Sequence, residues 1–351
     1  KDIEGKQTYL GSRVWRNPRI EIMGYDIPKP GPRDVLLEVK ACGICGSDVH
    51  GVDGSTGRRR PPIIMGHEAA GTIERAGPAV SGWKAGDRVT FDSTIWCGVC
   101  RHCRRGEINL CDDRRVLGVS CAEYRQNGAF AEFVAVPARI LYRLPDALPF
   151  EEAALVESLS IALHAVERVP ISLGDTALVV GAGTIGLLAI QVLKVRGCAP
   201  VAAADVAPER LALARKLGAD VLIDTRTADA PAEMRRLTDG RGADVAVEAV
   251  GLPATVRTAV ESVRKGGAIA LVGNFTPEVA LPLQSVVSRE VTLCGSCASN
   301  GEYPACLDLM AGGRVDVRSL ISAVAPLAEG PSWFKRLYDR EPGLMKVVLA
   351  P

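Results

Sequence analysis

The feature that most constrains this chain is Gly181-Ala182-Gly183-Thr184-Ile185-Gly186. It directly follows the apolar run Ala177 to Val180 and precedes an apolar stretch reaching to about Arg196. A glycine triplet is informative only when a strand leads in, a helix leads out, and an acid closes the next strand. Asp205 supplies the acid, 22 positions after Gly183 against an expected separation of about 20. Gly181 then permits a tight turn, Gly183 lets backbone approach a pyrophosphate, and Gly186 lets helix and strand pack closely. The amides of Thr184 and Ile185 open the helix, whose free N–H groups suit phosphate.

Around this turn the texture is strand, helix, strand. Val201 to Ala204, Val221 to Asp224, Asp244 to Val250, Ala268 to Val272 and Val291 to Cys294 read as further short apolar strands. Pro208 suits the first turn of a helix that Gly218 stops. Such alternation predicts an α/β, doubly wound parallel sheet covered on both faces. Asp205 is expected to accept from the adenosine ribose hydroxyls and to repel a 2′-phosphate, so NAD is expected over NADP. Arg210 is placed over the adenine or on the surface. Val272, Gly273 and Asn274, at the end of a later strand, are further candidates for cofactor contact.

From about residue 10 to 155 the pattern changes to short β-like runs between Gly/Pro turns, which predicts a β-rich, barrel-like domain. With 351 residues the chain has room for about two domains. The chain from Tyr303 onward is assigned back to the first of them. Net charge is +1, which argues against nucleic acid or an anionic membrane as the main partner. Thr176 to Leu193 is uncharged over 18 residues, close to a membrane span, but its glycines favour a buried strand-turn-helix. Lys1 to Lys6 is polar and charged, unlike a secretory leader, so a cytoplasmic protein is expected.

The chain has 11 cysteines, an odd number that excludes a complete disulfide framework. Cys97, Cys100, Cys103 and Cys111 read C-x2-C-x2-C-x7-C, close enough to surround one tetrahedral Zn²⁺ and leave no open position. This is expected to be a structural zinc. His102 and the arginines around it are read as solvent-facing, not as ligands. A dispersed second set is Cys45, His67, Glu68 and Glu157, which offers a thiolate, an imidazole and two carboxylates. A catalytic zinc needs about three protein ligands and one open position. Cys42, Cys294 and Cys297 are read as core fillers, and His164 as packed.

Gly43-Ile44-Cys45-Gly46-Ser47-Asp48-Val49-His50, Gly66-His67-Glu68, the four-cysteine lobe and the Gly181 turn together resemble the zinc-dependent medium-chain dehydrogenases, nearly end to end. Glu157-Ser158-Leu159-Ser160 is similar to the sorbitol and polyol branch, where classical alcohol dehydrogenases carry cysteine. The resemblance implies a GroES-like catalytic domain over 1–157 and 298–351, with a structural zinc lobe at about 95–113. A Rossmann domain over 158–297 is implied between them, with the active site in the cleft. It implies NAD and two zinc ions per chain. Cys45, His67 and either Glu68 or Glu157 would hold the catalytic zinc, with Asp48 behind His67. Lys346 is expected to pair with Glu68 when Glu68 is off the metal. Ser47 and then His50 would carry the proton away.

The implied activity is reversible oxidation of a secondary alcohol of a galactitol- or sorbitol-like polyol. Vicinal-diol, polyol-phosphate and L-threonine 3-dehydrogenase activities of the same family stay open. A non-catalytic nucleotide- or nucleic-acid-binding protein is the alternative of another class. A small-molecule alcohol is the expected partner, with a homodimer or homotetramer as the assembly. Sorbitol dehydrogenases carry an Arg-Tyr pair near the position where this chain has Ala298 and Ser299. Arg58-Arg59-Arg60 replaces their aromatic residue before the zinc histidine. That run is expected to be a solvated turn rather than a phosphate site.

Overall fold

The computed structural model describes residues 6–11, 19–54 and 56–351. The described chain packs as two units. One takes in the residues up to Glu157 with Tyr303–Ala311 and Val317–Pro351; the other is Ser158–Glu302 with Gly312–Asp316.

The first unit is built on a seven-stranded sheet. Its central strand, Asp34–Gly43, lies between Glu68–Ala76 and Lys346–Ala350 and also pairs with Phe133–Pro137. The pairings are antiparallel except for the parallel pair Ile321–Pro326 with Lys346–Ala350. Alternate residues of these strands, such as Val35, Leu37 and Val39, enter one core with Ile73, Phe91, Phe130 and Val347. Period-two patterning sends those side chains to one face, which is why the short β-like runs fold as a half-buried sheet.

Register decides where this unit carries its polar groups. Gly43 is opposite Glu68, and Val348 is opposite Gly43. The end of one strand therefore meets the beginnings of two others, and it delivers Ile44 and Cys45 beside Glu68 and Lys346.

The second unit holds a six-stranded parallel sheet. Its order is Val221–Asp224, Val201–Asp205, Ala177–Val180, Ala243–Glu248, Val263–Leu271, Thr292–Gly295. The chain order thus reverses between Ala177–Val180 and Ala243–Glu248. Ligands of open α/β sheets bind at such a switch point, beyond the carboxyl ends of the strands. Strands Ala177–Val180 and Val201–Asp205 are buried at every residue, which explains their unbroken apolar sequence. The uncharged stretch from Thr176 divides into strand Ala177–Val180 and helix Thr184–Val195. Among the described residues no helix is long and apolar enough to cross a membrane.

Candidate functional site

Cys45 caps helix Gly46–Gly51, and its Sγ accepts from Ser47 N at 3.5 Å and from Ser47 Oγ at 3.3 Å. His67 immediately precedes strand Glu68–Ala76. One donor atom from each of Cys45, His67 and Glu68 lies within 4.8 Å of the others. Glu157 is not in that close group. It sits on helix Val156–Glu167 near enough for its charge to feel His67, Glu68 and Lys346. Burial pushes its carboxyl up to about 7, with His67 opposing the rise and Glu68 adding to it.

Asp48 is fully buried, and its Oδ2 lies 3.4 Å from His67 Nδ1. Neither atom makes a well-aligned hydrogen bond among the described residues. With Nδ1 toward a carboxylate, Nε2 is the imidazole nitrogen available to a metal, the usual arrangement behind zinc-bound histidine. Burial lowers the proton affinity of His67, but Asp48 and Cys45 outweigh it and raise the pKa well above the ordinary histidine value. Those groups hold the nitrogen at a potential that favours a cation. Thiolate, imidazole and carboxylate are a zinc-type donor set, so these residues fit the metal.

Glu68 is engaged elsewhere. Lys346 Nζ lies 2.8 Å from its Oε1 and 2.7 Å from its Oε2, and also donates to Ile44 O at 3.3 Å. His50 is exposed near the end of the same short helix as Ser47. Partial burial and the neighbouring Arg340 charge hold its pKa below the ordinary value, against the pull of Asp53.

Cys97, Cys100, Cys103 and Cys111 form a second cluster with their Sγ atoms within 4.8 Å. Backbone amides point at the sulfurs: Cys97 N to Cys111 Sγ at 3.2 Å, Cys100 N to Cys97 Sγ at 3.4 Å, Cys103 N to Cys100 Sγ at 3.4 Å. Amide donors favour thiolate, the metal-binding form. The Val99 and Cys100 amides bring the Cys97 thiol down to about 7. His102 turns away and pairs with Glu107 at 2.8 Å. The four-thiolate set fits a closed structural zinc.

In the second unit Gly181 has φ +97, and a side chain there would strike Val250 Cγ2 at 2.4 Å. A Cβ at Gly186 would lie 1.8 Å from Gly181 O, so helix and turn touch backbone to backbone. Gly183, by contrast, faces open space and caps helix Thr184–Val195, leaving the Thr184 and Ile185 end of that helix clear. Both oxygens of Asp205 accept backbone amides, Ala182 N at 2.6 Å and Ala207 N at 2.8 Å. Asp205 therefore ties the glycine turn to the neighbouring strand end. Arg210 is half-buried on helix Pro208–Lys216. Gly273 packs on the backbone of Val250 and Gly251, and Gly251 on that of Asn274, so the residues after Leu271 lie against the switch point. The amide-lined turn and the open face of Gly183 fit a dinucleotide pyrophosphate.

A zinc-binding dehydrogenase family model matches residues 184–312, and an alcohol dehydrogenase GroES-like domain model matches 31–146. Sorbitol dehydrogenase of Bacillus subtilis is 34% identical over 97% of this chain and 97% of its own length. L-threonine 3-dehydrogenase of Pyrococcus horikoshii is 37% identical over 78% of each chain. A zinc-binding dehydrogenase of Sinorhizobium meliloti, solved with NADP, superposes with a TM-score of 0.90 at 30% identity, covering 99% of this chain and 100% of that one. The chain belongs to the zinc-dependent medium-chain dehydrogenases.

Two features of this dehydrogenase differ from the sequence reading. Arg58 and Arg60 are exposed, as a solvated turn requires, but Arg59 is only 4% exposed and binds Asp48. The missed signal was the alternation itself. Arg60 precedes Pro61, which favours extended backbone, and extended backbone turns the middle arginine opposite to its neighbours. Cys297 is exposed and Cys294 half-buried, so neither is a core filler. Strand Thr292–Gly295 lies at the edge of its sheet, where side chains are less enclosed. His164 is buried, as expected of a packed residue, and its Nδ1 lies 2.7 Å from Glu302 Oε1. Cys42 is fully buried in the core.

Proposed function

We propose that this dehydrogenase oxidises a secondary alcohol of a polyol to the ketone, reversibly, with zinc and NAD. The observation that carries the reading is the convergence of Cys45, His67 and Glu68 within 4.8 Å beside the Ser47 hydroxyl. Bound zinc would lower the pKa of the substrate hydroxyl as a Lewis acid, and NAD would accept the hydride.

Cys45 Sγ and His67 Nε2 would hold the metal, with one carboxylate completing the set. Glu68 would reach the metal by giving up its pair with Lys346, and Glu157 is the other candidate carboxylate. With Cys45 and one carboxylate the charge of Zn²⁺ would be neutralised, and both carboxylates bound permanently would leave the site at −1 and weaken it as a Lewis acid. Ser47 Oγ, two residues from Cys45, would accept the substrate proton as it gives up its own toward the cofactor ribose hydroxyl and His50. His50, held below its ordinary pKa, is neutral at pH 7 and passes the proton to water. Asp205 keeps a fixed negative charge at the end of its strand and favours the unphosphorylated cofactor, NAD over NADP. Arg210 lies toward the adenine.

The catalytic domain is the first unit and the Rossmann domain the second, Ser158–Glu302 with Gly312–Asp316, so 298–302 and 312–316 are not kept with the catalytic domain. The assembly is a cytoplasmic homodimer or homotetramer; exposed Leu283 and Val287 support association.

The test is NADH formation by zinc-loaded protein with sorbitol, galactitol, a vicinal diol, a polyol phosphate and L-threonine. Turnover with a polyol and not with threonine is expected. Absence of turnover on all five with either cofactor would sink the reading.

A further inference from the structure

Arg59 has no part in the activity described above, yet it is buried against two residues that flank the metal centre. Its Nε and Nη2 both donate to Asp48 Oδ1, at 3.1 and 2.8 Å. Nη2 also reaches Ser47 Oγ at 3.3 Å, and Nη1 donates to Arg58 O at 3.1 Å. The two donors share one carboxylate oxygen and leave the other, Oδ2, facing His67 Nδ1.

We propose that Arg59 is a positioning residue of the zinc site, clamping Asp48 behind His67 and orienting the Ser47 hydroxyl. The proposal rests on the reading of Cys45 and His67 as zinc ligands.

The physical reason is the burial of Asp48, which is 0% exposed. A carboxylate there stays charged only if something replaces water. Arg59 does so with a planar, permanently charged fork. Without it the carboxylate loses the clamp that aims Oδ2 at His67 Nδ1, and the imidazole is no longer held in place.

The backbone is arranged to bring the arginine in. Arg60 N donates to Ser120 O at 2.9 Å and Ser120 N to Arg58 O at 3.2 Å, which fixes the segment on both sides of Arg59. At Gly51, on the helix that carries Ser47 and Asp48, a Cβ would sit 2.3 Å from Arg59 Cγ. Gly51 is thus the opening through which the side chain passes. Arg59 also provides Ser47 Oγ with a cationic donor, so the hydroxyl hydrogen points away from Arg59.

The experiment compares zinc release to a chromogenic chelator, and Co(II) absorption after metal exchange. The proteins are wild type, Cys45→Ala, Arg59→Met, Arg59→Lys and Gly51→Ala. The zinc present in wild type and absent from Cys45→Ala defines the catalytic ion. Arg59→Met should release that ion at least ~10-fold faster, the lower end of losses behind zinc-bound histidine. Its Co(II) bands should shift, which general loss of stability would not produce. Arg59→Lys keeps the charge but not the fork and should fall between. Gly51→Ala keeps Arg59 but displaces it, and should move in the same direction as Arg59→Met. If Arg59→Met does not fold, Gly51→Ala decides. Release and spectra equal to wild type in every folded variant would overturn the proposal. A wild type without Cys45-dependent zinc would instead remove the functional reading beneath it.

Discussion

Lys346 and Glu68 are 278 residues apart in sequence, and the lysine Nζ sits within 2.8 Å of both carboxylate oxygens. Both side chains are almost fully buried, at 3% and 1% exposure. Burial opposes the charge on Lys346, but Glu68 and Cys45 more than offset it and raise its pKa. Removing one partner of a buried pair leaves an uncompensated charge, at a cost of about 3–5 kcal/mol. Lys346→Met should therefore lose about that much stability in urea when zinc-free, and less with zinc, which gives Glu68 another cation. A zinc-free loss below about 1 kcal/mol would show that the pair matters little.

Glu157→Ala separates the two candidate carboxylates. Fold and NADH binding should be retained, because those depend on the four-cysteine lobe and on the Gly181 turn. Zinc occupancy or kcat should fall at least ~10-fold. Wild-type zinc content and turnover would leave Glu157 a structural residue and assign the shell to Cys45, His67 and Glu68.

Removing each metal should have a different consequence. Metal analysis should give two zinc ions per chain. Cys100→Ser should lose one of them together with thermal stability, since four thiolates hold the lobe closed. Cys45→Ala should lose the other and the activity, with little change in melting temperature. The opposite pattern would mean that the roles are exchanged.

Asp205→Ser tests cofactor choice. The carboxylate anchors Ala182 and Ala207, so activity with NAD should fall on its removal, and on the proposed reading it also repels a 2′-phosphate. The ratio of kcat/KM for NADP to that for NAD should nevertheless rise, with Arg210 available to the phosphate. An unchanged ratio would show that Asp205 serves the turn alone.

Glu302 makes acid stability testable. Burial raises its pKa, but the hydrogen bond to His164 and the Asn300 amide together lower it below the ordinary 4.5. A depressed folded-state pKa contributes stability that is present above 4.5 and lost as pH falls through the folded value. Melting temperature should decline below about 4.5, more shallowly in Glu302→Gln than in wild type. Parallel curves would exclude this contribution.

What the sequence alone determined is what depends on near neighbours. The Gly181 turn, its strand and its helix lie within twenty residues, and the two periodicities report burial directly; strand Ala177–Val180 appears with the bounds read from the chain. Four cysteines in fifteen residues meet because so short a loop brings them together. Tertiary structure decided the partners. Lys346 meets Glu68 because the register of three strands aligns Gly43 with both Glu68 and Val348. Arg59 enters the site because a bridge to Ser120 and the missing side chain at Gly51 let it. Glu157, beyond the close donor group, depends on where its helix packs. Spacing along the chain carries no information about such pairs, because sheet register and helix packing, not residue number, set the distance between them.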